Sequence, residues 1–174
     1  MAIQTSFTYA YDNVQAGVQY GIGLQQIVTG FSDTVIPFGR ALVYDAVNPE
    51  TGGRKNVSLP SAATNTFVGI ARFEHTEPDA TSARNTITTS GATSTQYDAN
   101  EDISILEIGK IYVEVEQAVA PGDPVFVRFA SGAGGSELGK FRANADTATA
   151  FALENAEWVT STTGVGKAVL HIYK

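Results

Sequence analysis

Two histidines, His75 and His171, are the only imidazoles in the sequence, and cysteine is absent. Acid-base or nucleophilic catalysis needs such a group within hydrogen-bond reach of a nucleophile and of a residue that orients it. Neither histidine has an identifiable partner in the sequence. His171 falls in the last apolar stretch, on one strand face with Val169 and Tyr173, and reads as structural or surface-exposed. The hydrolase elbow Gly-x-Ser-x-Gly fails in its nearest match, Gly134-Gly135-Ser136-Glu137-Leu138, which ends in leucine. No residue is assigned a catalytic role, and the chain reads as a non-enzyme.

Phosphate and metal chemistry fare no better. In Gly132-Ala133-Gly134-Gly135-Ser136-Glu137 a glutamate stands where a dinucleotide fingerprint needs glycine, and Gly164-Val165-Gly166-Lys167-Ala168 lacks the spacing and the hydroxyl of a P-loop. Asp98-Ala99-Asn100-Glu101-Asp102 opens like a calcium loop, but Ile103 replaces the turn glycine and Gly109 the bidentate glutamate. Glu74-His75-Thr76-Glu77-Pro78-Asp79 reads as solvated polar surface. The expectation is no cofactor and no metal. The sequon Asn56-Val57-Ser58 is read as chance, since no secretory signal precedes it. Nine Phe, seven Tyr and one Trp are spread singly, without the interleaved Lys or Arg that would make a base-stacking platform.

What the residues do specify is extended chain. The stretch 103–129 organises the rest: Ile111, Val113 and Val115 share one strand face and Tyr112, Glu114 and Glu116 the other. Pro121-Gly122-Asp123-Pro124 then forces a turn into a second strand, 125–129, giving a pair of strands inside a sheet. Further extended segments are expected over 18–25, 39–45, 66–75 and 138–142, with Trp158-Val159-Thr160 and 167–173 closing the chain. Asp146 is a candidate cap for one helical turn over 147–153, with irregular chain as the equal alternative. The polar run 76–100 reads as a long surface excursion with a short edge strand at Asn85-Thr86-Ile87-Thr88, and 130–136 as a flexible hairpin tip. Eight to ten strands at these spacings predict an all-β fold, an antiparallel β-sandwich or jelly-roll-like barrel with one hydrophobic centre.

The N-terminus differs from the remainder. Ile3, Thr5, Phe7, Tyr9 and Tyr11 alternate with Ala2, Gln4, Ser6, Thr8 and Ala10, so one edge is large and mostly aromatic and the other small. Two readings stand side by side: an arm that lays Ile3, Phe7, Tyr9 and Tyr11 on another subunit, or the first strand of the home sheet. The division adopted is an extended arm over 1–12 and a single β-rich domain over 13–174.

Composition bounds the partners. Eighteen Asp and Glu against eleven Lys and Arg give a formal charge of −7, with the basic residues scattered, so nucleic acid is not an expected partner. No run of 18 apolar residues occurs and no signal peptide is evident, so neither a membrane span nor secretion by that route is expected. Absent cysteine fits a reducing compartment.

Several pieces, taken in order, resemble one family. They are Met1-Ala2-Ile3-Gln4-Thr5-Ser6-Phe7, Phe67-Val68-Gly69-Ile70-Ala71, Asp98-Ala99-Asn100-Glu101-Asp102-Ile103, Gly109-Lys110-Ile111-Tyr112-Val113, Ala120-Pro121-Gly122-Asp123-Pro124, Gly139-Lys140-Phe141-Arg142, Asn155-Ala156-Glu157-Trp158 and Gly166-Lys167-Ala168-Val169-Leu170. Together they resemble the structural cement, or capsid decoration, proteins of tailed bacteriophages. The resemblance implies a virion protein, assembled in the host cytoplasm, that binds the outer surface of the head, bridges major capsid protein subunits and stabilises the shell. It also implies self-association, as a trimer or alternatively a dimer. The rival reading is a receptor- or carbohydrate-binding β-sandwich of a phage tail, using Trp158 or the Tyr-rich terminus.

Overall fold

Alternating apolar residues and closely spaced turn signals produce thirteen strands and no helix among the described residues of the computed structural model, which are 14–21, 23–45, 49–73, 96–131 and 137–173. In chain order they are β1 (Gln26–Ser32), β2 (Ile36–Pro37), β3 (Ala41–Tyr44), β4 (Glu50–Thr51), β5 (Arg54–Ser58), β6 (Phe67–Ala71), β7 (Gln96–Tyr97), β8 (Glu101–Val115), β9 (Phe126–Arg128), β10 (Phe141–Arg142), β11 (Ala150–Ala152), β12 (Ala156–Trp158) and β13 (Gly166–Ile172). The all-β expectation holds, and the sheet closes on itself.

Closure follows from the pairings. β1 lies parallel to β5, β5 antiparallel to β3, β3 to β6, β6 to β8, and β8 returns antiparallel to β1. A closed ring has no unpaired edge to protect. Leu42, Val57, Ala71, Ile103 and Ile105, with the half-buried Val28, belong to one core cluster within this ring. The bore is narrow: a Cβ on Gly69 would stand 2.5 Å from the Leu106 carbonyl oxygen and 2.6 Å from Ile105 Cγ2, so only glycine fits there. The ribbon of β2 and β7 adds Ile36, Phe38 and Tyr97 to the same core. Tyr97 is fully buried; its hydroxyl donates to the Arg72 carbonyl at 2.6 Å and accepts from the Ser104 N–H at 3.2 Å.

A second core lies outside the ring, correcting the expectation of one hydrophobic centre. Ala41, Ile70 and Leu106 stand side by side across β3, β6 and β8 and belong to a cluster with Ile111, Val113, Val115, Val127, Phe141, Trp158, Leu170 and Ile172. β8 runs through both cores, and a bulge makes that possible. Ile27 faces Leu106 and Gln26 faces Ile108, so Glu107 is an extra residue in the ladder. One extra residue exchanges the two faces of a strand. Before it, odd positions Ile103 and Ile105 belong to the ring core and Leu106 to the outer one; after it, odd positions 111, 113 and 115 belong to the outer core. Gly109, at φ 133°, sits just past the bulge.

Beyond the bulge β8 pairs with β13, which pairs with β12, and at Val115 it meets β10 in parallel. The predicted neighbour pair of 111–115 and 125–129 is therefore split: β10 lies between β8 and β9. The predicted turn is present, with Asp123 N–H donating to the Ala120 carbonyl at 3.0 Å and the Ala120 N–H to the Asp123 carboxylate at 2.9 Å. Val119, however, bridges to Thr162 and draws the connection away from β8. Of the two readings of 147–153, the helical turn is ruled out. Asp146, Thr147 and Ala148 adopt left-handed conformations (φ 44°, 56° and 63°), and Ala150–Ala152 joins β9 as β11. Among the described residues of 18–25, only Gln19 forms a bridge, to Ile111, while strands β1, β2, β4, β5 and β7 were not anticipated from the sequence. Asn85 to Thr88 and most of the 76–100 excursion lie outside the described residues, as do 132–136 of the 130–136 tip.

Candidate functional site

The second half of β8 carries a different surface feature at each end. At its C-terminal end, Gln15, Ala16, Phe38, Arg40, Glu114 and Glu137 line a cleft of about 260 Å³. Arg40 is buried and ion-paired with Glu137 and, at 3.4 Å, with Glu114; Lys140 Nζ lies 3.5 Å from Glu114 and 3.4 Å from Glu137. Burial alone would raise the Glu137 pKa, but Arg40 and then Lys140 outweigh it and hold the carboxyl below the usual range.

The opposite end, at the bulge, is apolar. Tyr20, Leu24, Ile108, Gly109, Lys110 and Tyr173 are among the residues lining a groove of about 410 Å³. Leu24 is 83% exposed and Tyr173 39%. Both are large apolar side chains left in water, a feature that marks docking surfaces when clustered. His171 also lines the groove; its ring lies 5.6 Å from that of Tyr173, and Nδ1 is 2.9 Å from Glu157 Oε1. That carboxylate is exposed, and the arrangement offers packing and a polar rim.

Past the C-terminal end of β8, a largely buried ion network clamps it to β9, β10 and the left-handed turn. Glu116, just past β8, accepts both a 2.7 Å and a 2.8 Å bond from Arg128 Nε, and its Oε2 accepts from Arg142 at 3.0 Å. Asp146 Oδ2 accepts from Arg128 at 2.6 Å and Arg142 at 2.8 Å. The Arg128 hydrogen bond holds the Asp146 carboxyl below its usual range. The Glu116 hydrogen bond raises the Arg128 guanidinium above its own.

The sequence-predicted interface residues Ile3, Phe7, Tyr9 and Tyr11 lie outside the described residues, as does His75. Trp158 is not available to a glycan: it is 3% exposed, in the outer core, with its indole N–H donating to the Pro124 carbonyl at 3.3 Å. In the calcium-like run, Glu101 accepts from the Asp98 N–H at 3.0 Å and Asp102 pairs with Arg54 at 2.5 Å, so both side chains serve the barrel mouth. Sequence reasoning missed the groove. Its one visible signal is Leu24 beside Gly21 and Gly23, which was read as strand alternation.

A family described as "Structural cement protein (E217 gp24/Pam3 gp6)" matches residues 3–172. No curated protein matches the chain. Among solved structures, the chain is similar to one described as "The capsid of Myoviridae Phage XM1", with 20% identity, a TM-score of 0.65, and coverage of 100% of this chain and 99% of that one. At that identity the likeness speaks for the fold.

Proposed function

The chain belongs to the phage structural cement protein family, a structural component of the virion located on the capsid, and from that premise we propose that it binds the outer surface of the head and bridges neighbouring major capsid protein subunits. The observation that carries this reading is the span of the family match, residues 3–172, which takes in the arm, the barrel and the outer sheet together. The formal charge of −7 supports an outward station, since a protein facing packaged DNA needs basic surface. The exposed apolar side chains at the bulge end of β8 support a surface made for contact.

The arm, residues 1–12, is proposed as the intersubunit element, with Ile3, Phe7, Tyr9 and Tyr11 as its contact edge, and 13–174 as the body. Self-association is proposed as a trimer, because closed rotational symmetry satisfies identical contacts, with a dimer as the alternative. No step of catalysis enters the reading. The test is co-sedimentation of purified protein with heads assembled without it, followed by heating of the loaded and bare heads. Saturable binding that raises the temperature of head disruption is expected. Absence of binding, or salt-sensitive retention of DNA in a gel shift, overturns the outer-surface assignment.

A further inference from the structure

We propose that the groove at the Gly109 end of β8 is the receptor for the N-terminal segment of a second copy of this chain, which seats its Ile3, Phe7, Tyr9 and Tyr11 edge against Tyr20, Leu24, Ile108 and Tyr173. The proposal rests on the reading of residues 1–12 as an intersubunit arm, and it names where that arm lands.

The first argument is where the arm starts. Described chain opens at Val14, and Gln15 and Ala16 sit in the cleft with Arg40 and Glu114. The chain then runs along β8 toward the bulge: Gly17 N–H donates to the Tyr112 carbonyl at 2.7 Å, Tyr112 N–H to Val18 at 2.9 Å, and Tyr20 N–H to Lys110 at 2.9 Å. The arm is thus rooted at one end of this half of β8 and the groove opens at the other, about 17 Å away along the strand. The edge of β8 between them is taken by residues 17–20. To reach its own groove an arm has to double back past that segment. The arm of a neighbouring copy meets the groove directly, and thirteen extended residues reach roughly 40 Å, enough to span two bodies.

The second argument is chemical fit. The groove, about 410 Å³, is a concavity that can receive side chains from such an edge. Leu24 and Tyr173 are the apolar surface such a segment removes from water. Residues 1–13 carry a single charged side chain, Asp12, so little charge is desolvated on docking, and Lys110 stands in the groove wall. A contact that joins the arm of one copy to the opposite end of the next is heterologous, and repeated by rotation it closes a ring.

Because the chain has no cysteine, the test is clean in the full-length protein. Tyr9→Cys and Leu24→Cys are made in separate chains, mixed, and treated with a short bis-maleimide. Covalent dimers joining one variant to the other are expected, at least tenfold above either variant alone. In parallel, Leu24→Asp is expected to lower the mass seen by light scattering to that of a monomer, with unchanged circular dichroism and melting. No link in the mixture, or a link formed only within a chain carrying both substitutions, overturns the proposal. Co-sedimentation of the unsubstituted protein with bare heads separates the two readings. Lost head binding with the cross-link intact defeats the outer-surface reading alone, and intact head binding without the cross-link defeats the groove alone.

Discussion

Glu116 is an anion enclosed by two guanidiniums, those of Arg128 and Arg142, and both arginines are buried. Breaking such a group from one side strands the opposite charge, at a cost of about 3–5 kcal/mol. Glu116→Ala is accordingly expected to shift the urea midpoint strongly downward, while Glu114→Ala, at a half-exposed carboxylate, shifts it little; equilibrium denaturation compares them. Asp146 sets an acid limit. Its folded pKa lies below the unfolded one, so its contribution is complete above the ordinary carboxylate value and disappears as pH falls through the lower folded value. Melting temperature is expected to fall below about pH 4, less steeply in Asp146→Asn. At this scale the sequence was legible where alternation ruled, as at Ile111, Val113 and Val115, all buried as expected. The Glu116 network was not, because its members lie on four separate segments and only the fold brings them together.

Strand β8 shows why the elements were easier to find than to arrange. Period two marks a strand, but it does not reveal that the strand changes faces midway; that information lies in the register against β1, a partner 69 to 82 positions away. For the same reason the barrel was not derivable: its closing pair, β1 with β8, joins a strand the sequence reading missed to one it found. The bulge makes a sharp prediction. Deleting Glu107 restores uniform alternation and turns Ile111, Val113 and Val115 away from the outer core, so the variant is expected not to fold. Glu107→Gln keeps the count and weakens only the contacts to Lys55 and Gln26, so it is expected to fold with a loss of about 1–2 kcal/mol. Circular dichroism and proteolysis distinguish these outcomes. That the helical alternative fails over 147–153 has a related cause: Asp146, a good helix cap by residue type, spends its carboxylate on two arginines.

For the whole molecule, the family was legible from strand and turn order along nearly the full chain, whereas the role of residues 1–12 was not, since alternation alone does not say which sheet an edge joins. Removing residues 2–11 is expected to leave the melting temperature of the body almost unchanged while weakening self-association and head binding at least tenfold, about 1.4 kcal/mol. Loss of folding with head binding retained by the folded remainder means that the segment is part of the home sheet. The shared strand has a thermodynamic consequence as well. A protein with two hydrophobic cores ordinarily has a choice of partial melting, but here neither core survives loss of β8, because Ile103 and Ile105 serve one and Leu106, Ile111, Val113 and Val115 the other. The described body is then a single cooperative unit. Calorimetry is expected to return one transition with equal calorimetric and van't Hoff enthalpies, and β8 amides should exchange only through global unfolding. A shell strained from within would find in it no half-open state at which to give way.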